Sequence, residues 1–189
     1  DWLVLKYDDT YKWYGHEFND DVMWMIIASA RAYHLTGNTL YRSYAKNNFD
    51  RIFDRAYNQW DMMRWKQTDE TQNGTNSCIN GPTEVAACYI AMALTNEDEK
   101  EEYYEIARSL YEKQRLYLFN PQTGEVYDSF TWDENTNLPT GHNRWVSTYN
   151  QGTMLGAALM LYTTVTKCTS ATPRKSWNVR RNAYATLTE

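Results

Sequence analysis

The sequence has 189 residues, of which 42% are apolar, and this is enough to bury the core of one domain. Its formal net charge is −5 and its cationic residues are scattered among acidic ones, which argues against nucleic acid and anionic lipid as partners. It has no apolar run of the roughly 18 residues that a membrane-spanning helix needs, so we expect no membrane insertion.

Five helices are predicted from apolar residues that recur at three- and four-residue steps. They cover about residues 20–35, 40–60, 82–94, 97–116 and 149–162. Asn19 is predicted to cap the first helix, Gly37 lies just beyond its end, and Pro82 is predicted to open the third helix at its first position. We expect a loop over residues 67–81, and a long decorated loop with room for a short hairpin over residues 118–147.

Two pairs of helices share a sequence pattern. The second helix of each pair opens with Tyr-x-x-x-Ala after a Thr-Gly or Thr-Asn turn, at Tyr41 and Ala45 and again at Tyr103 and Ala107. Repeated helical hairpins stack side by side, and a stack that closes on itself is an α/α toroid with its site at the axis. We therefore predict an all-α fold of this type.

Residues 163–189 do not follow the pattern. They are rich in Thr and Arg and lack an apolar period, although the second helix of a third pair is expected there. If the encoding DNA is read in the frame that starts at the third base of each codon, the degenerate genetic code permits a turn followed by a Tyr-x-x-x-Ala helix in this segment. Our hypothesis is that the reading frame slips near Tyr162, so that residues 1–162 form a partial toroid domain and 163–189 an atypical, out-of-frame tail.

Two adjacent carboxylates, Asp20 and Asp21, fall in the first turn of the first predicted helix. Such a pair can simply complement the helix dipole. Adjacent helical residues also point about 100° apart, and in a shared site one carboxyl can stay protonated while the other is ionised, as glycoside cleavage requires. Aromatic residues make up 15% of the chain, and their rings either fill the core or stack on sugars.

Three ordered motifs carry a resemblance to a known family. They are Asn-Asp-Asp at 19–21 followed by Trp24, Asn-Ser-Cys-Ile-Asn-Gly-Pro-Thr-Glu at 76–84, and Thr-Tyr-Asn-Gln-Gly at 148–152. Over about residues 8–162 the chain resembles glycoside hydrolase family 76, the endo-α-1,6-mannanases. The resemblance implies an (α/α)6 barrel, incomplete in this chain, and hydrolysis of internal α-1,6-mannosidic linkages with retention. It assigns Asp20 as nucleophile and Asp21 as general acid/base, with α-mannan as partner and a secreted, periplasmic or cell-surface location.

Further side chains are predicted to bind substrate. Amides at loop-to-helix junctions either bond sugar hydroxyls or cap helices, and a Trp either stacks on sugar or packs in the core. An aspartate in Gly-Glu-Val-Tyr-Asp matches a family position on the substrate side. The predicted set is Trp24, Trp65, Asn76, Asn80, Asp128, Tyr149, Asn150 and Gln151.

Neither a metal nor a cofactor is predicted. The three cysteines lack zinc-type spacing, and His16, His34 and His142 are too scattered along the chain for a metal site. We expect surface or capping roles for these histidines.

Three alternatives remain open at this stage. The chain is a catalytically inactive glycan-binding or truncated fragment, a transglycosylase of the same fold, or a related toroid enzyme on another glycan, such as one that hydrates an unsaturated uronic acid. No Arg or His cluster near Asp20 offers a site for a uronate carboxylate. An incomplete toroid exposes apolar helix flanks, through which we expect self-association.

Overall fold

The computed structural model describes residues 13–68 and 73–165. Within these ranges a short 3₁₀ turn, Trp13–Gly15, precedes the helices and strands. The helices are α1 (Asn19–Thr36), α2 (Thr39–Ala56), α3 (Ser77–Ala93), α4 (Glu97–Tyr117) and α5 (Thr148–Val165). The strands are β1 (Gly74–Asn76), β2 (Phe119–Asn120), β3 (Glu125–Asp133) and β4 (Leu138–Val146). No described helix is long and apolar enough to cross a membrane.

The helices form hairpins that stack side by side. Helix α1 packs against α2 and α3, and α3 packs against α4 and α5. The α1–α2 link turns at Gly37, whose φ of 70° is the left-handed conformation that glycine adopts without steric cost. Asn38 then caps α2 and Asn96 caps α4, because their side chains accept from Leu40 N and Glu99 N. This arrangement places the N-termini of α1, α3 and α5 together.

One hydrophobic core lies between the stacked hairpins. Met23 and Ile26 of α1, Phe49 and Ile52 of α2 and Ile90 of α3 are buried members of it. Burying a side chain of this size contributes about 1.5–3 kcal/mol relative to leaving it exposed. The apolar period that predicted the helices therefore also predicted the face by which each packs.

Residues 118–147 contain a sheet rather than a loop with a short hairpin. Strands β3 and β4, of nine residues each, form an antiparallel hairpin, and β3 also pairs with β1 and β2. Val126, Phe130 and Trp132 are buried on one face of β3, and Phe130 and Trp132 form a second core cluster with Trp60. The expected loop over 67–81 is likewise wrong in part, because β1 and the start of α3 lie in it.

The predicted ends of three helices need correction. Helix α3 begins at Ser77, so Pro82 is its sixth residue and not its first. Phe18 is the N-cap of α1, and Asn19 is a buried helical residue whose amide donates to Arg64 O at 2.8 Å. Helix α2 ends at Ala56, because the Asn58 side chain accepts from Trp60 N and Met62 N and turns the chain.

The predicted tail lies mostly outside the described residues. Helix α5 includes positions 163–165, while residues 166–189 are not described. The out-of-frame hypothesis therefore stays a prediction.

Candidate active site

Asp20 and Asp21 lie in the first turn of α1 and differ in exposure. Asp20 is half-buried, whereas the Asp21 side chain is 55% exposed. Trp65 Nε1 donates a hydrogen bond to Asp20 Oδ1 at 2.9 Å. One carboxylate is thus fixed against the protein while its neighbour reaches solvent.

Backbone pairing brings Trp65 to Asp20 across 45 positions of sequence. Asn19 N donates to Trp65 O at 2.8 Å, and Gln67 N donates to Glu17 O at 2.9 Å. The Trp65 ring also lies 5.2 Å from the Phe18 ring, centroid to centroid. Trp65 was predicted either to stack on sugar or to pack in the core. It packs against the core and in addition donates to the candidate nucleophile, a role that neither alternative included.

Arg55 of α2 fixes the segment that leads into α1. Its guanidinium donates to Tyr14 O, to His16 O at 2.8 Å and to Asn19 Oδ1 at 2.9 Å. Five N–H donors in a planar fork suit Arg to such a multidentate contact. The chain just before the carboxylate pair is therefore held by α2.

The electrostatics of Asp20 set it apart from an exposed aspartate. Burial raises its pKa, and the neighbouring charge of Asp21 raises it further. The hydrogen bond from Trp65 acts in the opposite direction and stabilises the ionised form. Asp20 consequently binds a proton more readily than an exposed aspartate, and Trp65 limits that effect.

Cys78 lies close to both Asp20 and Asp128. Burial raises the pKa of the Cys78 thiol, and the negative charges of Asp20 and Asp128 add to this effect, so the thiol stays neutral. Asp128 Oδ2 accepts from Ser129 Oγ at 2.9 Å and from Asn143 Nδ2 at 3.1 Å. The β3–β4 hairpin therefore brings a third carboxylate, that of Asp128, near Cys78, and the predicted substrate-side role of Asp128 stays a prediction.

Trp24 and Tyr149 form an aromatic pair beside the carboxylates. Their rings meet edge to face with centroids 5.6 Å apart, and Trp24 Nε1 donates to the Tyr149 hydroxyl at 2.6 Å. Tyr149 in turn donates to Cys78 O at 2.9 Å. Both rings keep exposed surface, 39% and 36% of each residue, so an apolar sugar face has access to them.

The predicted amide residues take different positions. Asn80 is fully buried, and its amide accepts from Met63 N at 2.9 Å and donates to Asn76 O at 2.8 Å, which supports the backbone before Trp65. Asn76 is the N-cap of α3 but makes no side-chain capping bond. Asn150 is 1% exposed, and its amide has no hydrogen-bond partner among the described residues. The Gln151 amide lies against the backbone of Val126.

The three histidines lie apart. His16 Nε2 is 3.8 Å from Asp21 Oδ2, His34 Nε2 bonds Tyr89 O at 3.0 Å, and the His142 ring packs near Phe130. Among the described residues no group of three or more His, Cys, Asp or Glu side chains has the geometry to hold a metal ion.

The structure thus brings together Asp20, Asp21, Trp24, Trp65, Asp128 and Tyr149, and adds two residues that the sequence analysis did not assign. These are His16, beside Asp21, and Cys78, beside Asp20. Cys78 lies inside the quoted 76–84 motif, so its position next to the site had a signal in the sequence. For His16 the only signal in the sequence was its closeness along the chain to Asp20 and Asp21.

Stacked helical hairpins thus bring two carboxylates and aromatic rings together at helix N-termini, and a pair of carboxylates is the group that most glycoside hydrolases use. The family model of glycosyl hydrolase family 76 matches residues 6–186, and the chain belongs to this family. No curated protein matches the chain.

Several solved structures are similar to this chain. An α-1,6-mannanase from a Salegentibacter species is 30% identical, with a TM-score of 0.68, over 80% of this chain and 43% of that one. A family 76 mannosidase from Bacteroides thetaiotaomicron is 26% identical, with a TM-score of 0.72, over 80% of this chain and 40% of that one. A Listeria innocua protein is 26% identical, with a TM-score of 0.70, over 85% and 44%. The predicted α/α toroid is confirmed, and the chain spans less than half the length of each structure.

Two structures of the Salegentibacter enzyme concern its carboxylates. Variants in which two consecutive aspartates are replaced by asparagine or by alanine are described as inactive. They are complexes with α-1,6-mannotriose and α-1,6-mannotetrose respectively.

Proposed function

We propose that the chain carries the catalytic residues of a glycoside hydrolase that cleaves internal α-1,6-mannosidic linkages of mannan with retention. The observation that carries the proposal is the consecutive pair Asp20 and Asp21, one fixed by Trp65 and the other open to solvent. Retaining enzymes place two carboxyl groups about 5–5.5 Å apart, a spacing that neighbouring side chains can reach. The inactive double-aspartate variants of the Salegentibacter mannanase support the same pair.

We assign Asp20 as the nucleophile. It is half-buried, and the bond from Trp65 holds one oxygen in place, so the other oxygen is available to attack the anomeric carbon. The C–O bond to the leaving sugar breaks as the Asp20–glycosyl ester forms. Fixing the attacking atom in this way is worth several kcal/mol of barrier in enzymes generally.

We assign Asp21 as the general acid/base. Its side chain is exposed, so water can approach it in the second step. In the first step its carboxyl gives a proton to the leaving oxygen, and in the second it takes a proton from the water that hydrolyses the ester.

The substrate is an α-1,6-linked mannose chain in this proposal. The exposed rings of Trp24 and Tyr149 lie beside the pair and offer surfaces for the C–H face of a pyranose. Asp128, supported by Asn143, is positioned to accept from a sugar hydroxyl. The neighbours that were crystallised with α-1,6-mannooligosaccharides support this substrate class.

The first experiment is hydrolysis of linear α-1,6-mannan by the full 189-residue chain, with the products resolved by size. Release of short oligosaccharides is expected, and Asp20→Asn and Asp21→Asn should each lower the rate by about 10²–10⁴-fold. Glu112→Gln, a change at an exposed carboxylate on α4, is the matched control. Absence of products from a folded wild-type chain would overturn the proposal.

Azide rescue separates the two roles. With an aryl mannobioside that carries a good leaving group, azide should restore turnover to Asp21→Ala and give the α-glycosyl azide, since azide then replaces water. Asp20→Ala should instead give the β-azide, since azide then replaces the nucleophile. The opposite stereochemistry would exchange the two assignments.

A second candidate is a glycan-binding fragment without turnover. The chain spans less than half the length of the family structures, and helix α5 exposes Leu155, Leu159 and Tyr162. An open site would lose transition-state stabilisation while keeping the aromatic contacts. Binding of α-1,6-mannotetraose by calorimetry without any hydrolysis would favour this candidate.

A further inference from the structure

The Tyr149 hydroxyl joins three helices next to the carboxylate pair. It accepts from Trp24 Nε1 at 2.6 Å and donates to Cys78 O at 2.9 Å. Trp24 lies on α1 one turn after Asp20, Cys78 lies in the first turn of α3, and Tyr149 lies in the first turn of α5. These two bonds therefore span the N-terminal ends of all three helices.

Pro82 explains why the Cys78 carbonyl is available to Tyr149. In an α-helix the carbonyl of residue i accepts from the N–H of residue i+4. For Cys78 that residue is Pro82, which lies inside α3 and has no N–H. The Tyr149 hydroxyl supplies the donor that this carbonyl lacks within the helix.

The hydroxyl keeps its proton in this setting. Burial raises the pKa of Tyr149, and the negative charges of Asp20 and Asp21 also raise it, while the bond from Trp24 opposes them. A tyrosine hydroxyl has one hydrogen, and here it is directed to the Cys78 carbonyl. That hydrogen is consequently not available to a sugar hydroxyl.

We propose that Tyr149 is a positioning residue, whose hydroxyl binds the carbonyl that Pro82 leaves free and thereby sets the spacing of α1, α3 and α5 around Asp20 and Asp21. The proposal rests on the proposed hydrolase function. It adds to that function, because the geometry of Asp20 and Asp21 then depends on Tyr149 of α5, which lies 125 positions after Trp24 in the sequence.

The test is Tyr149→Phe, which keeps the ring against Trp24 and removes both hydrogen bonds. A displaced carboxylate pair lowers the chemical step, so kcat on α-1,6-mannan should fall by about 10- to 100-fold, with KM changed by less than about 2-fold. Tyr162→Phe, an exposed position on the same helix, is the matched control and should leave both constants unchanged. A raised KM with an unchanged kcat, or no change in either constant, would overturn the proposal.

The double variant Tyr149→Phe/Pro82→Ala separates positioning from simple repair of the carbonyl. Alanine at 82 restores the helical N–H to Cys78 O, so thermal stability should return toward that of the wild type. Activity should stay low, because α5 and Trp24 are still not joined to α3. Recovery of activity together with stability would show that Tyr149 only satisfies a carbonyl, which would sink the proposal.

A readout that does not need turnover keeps this test independent of the hydrolase proposal. With Cys88→Ala and Cys168→Ser in place, Cys78 is the only thiol of the chain. Its labelling by a disulfide reagent should be several-fold faster in Tyr149→Phe, because the first turn of α3 loses its contact with α5. If mannan is not cleaved but labelling accelerates, the proposed function fails and the positioning role stands; equal labelling rates would reject the positioning role.

Discussion

Trp65 Nε1 donates to Asp20 Oδ1 at 2.9 Å, and this bond lowers the pKa of a carboxyl whose burial and whose neighbour Asp21 both raise it. In the proposed mechanism Asp20 must be ionised to attack, so the bond would widen the pH range over which Asp20 reacts. Through this bond Trp65 would affect the pH dependence of the proposed reaction, which stacking on a sugar or packing in the core would not do.

The Trp65→Phe variant should shift the acidic limb of the kcat/KM profile to higher pH. Removing the indole N–H raises the pKa of Asp20 further, so ionised Asp20 is lost at a higher pH. At neutral pH we expect a loss of about 10-fold in kcat. Trp60→Phe is the control, because its Nε1 bonds Asn137 and not Asp20. An acidic limb that stays in place in Trp65→Phe would contradict this prediction.

The Gly81→Ala variant should destabilise the contact between α3 and α5. A Cβ at position 81 would come within 2.5 Å of Thr153 Oγ1 and 2.9 Å of Thr153 Cβ. Overpacking of this kind costs about 1–3 kcal/mol. At Gly152 nothing lies within 4 Å of an added Cβ, so Gly152→Ala should instead stabilise the chain by up to about 1 kcal/mol.

The free energy of unfolding in urea, measured for Gly81→Ala with and without Thr153→Ala, checks that the loss of stability comes from the clash with Thr153. The second substitution removes Thr153 Oγ1, the nearer of the two clashing atoms, so the two effects should be coupled and not additive. Additive losses would mean that the destabilisation has another origin.

The Glu84→Gln variant should flatten the dependence of stability on pH. Glu84 is fully buried in α3, neither of its oxygens has a partner among the described residues, and burial raises its pKa well above the ordinary value. Between the unfolded and the folded pKa the folded state holds one proton more, so stability falls as pH rises, by up to about 1.4 kcal/mol per unit.

Urea midpoints measured across this pH range should therefore decline in the wild type and change less in Glu84→Gln. Glu112→Gln, on the exposed side of α4, should decline as the wild type does. An identical slope in all three chains would assign the pH dependence to other groups.

Helix α5 carries an apolar stripe that we propose to be the surface for self-association of the 189-residue chain. Leu155, Leu159 and Tyr162, spaced four and three residues apart, are 72%, 61% and 69% exposed. Leu155→Glu/Leu159→Glu should convert dimers to monomers in sedimentation velocity at micromolar concentration. Leu35→Glu/Leu40→Glu, at exposed leucines outside α5, should leave the assembly intact. A wild-type chain that sediments as a monomer would exclude this surface.

The strongly periodic helices were predictable almost to their ends. Residues 97–116 correspond to Glu97–Tyr117 because acidic residues after Asn96 and a long apolar stripe agree on one structure. Pro82 misled the prediction, since proline is common at the first helical position. Inside α3, Pro82 leaves the Cys78 carbonyl without its helical donor, and Tyr149 supplies another donor. Tyr149 lies 67 positions after Pro82, so no local sequence pattern includes both residues.

The hairpin and the contacts of the site were less accessible to sequence reasoning. Val126, Phe130 and Trp132 recur on one face of β3, but the polar residues between them resemble those of a loop. Asp20, Asp21, Trp24 and Tyr149 were found through motifs. The bond from Trp65 to Asp20 depends on the backbone pairing of two distant segments, and such pairing has no signature in spacing alone.

The span of these contacts along the chain sets the order in which the site can form during synthesis. Asp20 and Asp21 leave the ribosome before the residues that contact them, and Trp65 follows 45 positions later. The bond between Trp24 and Tyr149 closes 125 positions of chain. Contacts between residues so far apart form late, because the entropy of closing the loop must be overcome first. A nascent chain that ends within α4 therefore already has Trp65 to hold Asp20, and the link from Trp24 through Tyr149 to α3 can form only when α5 has docked.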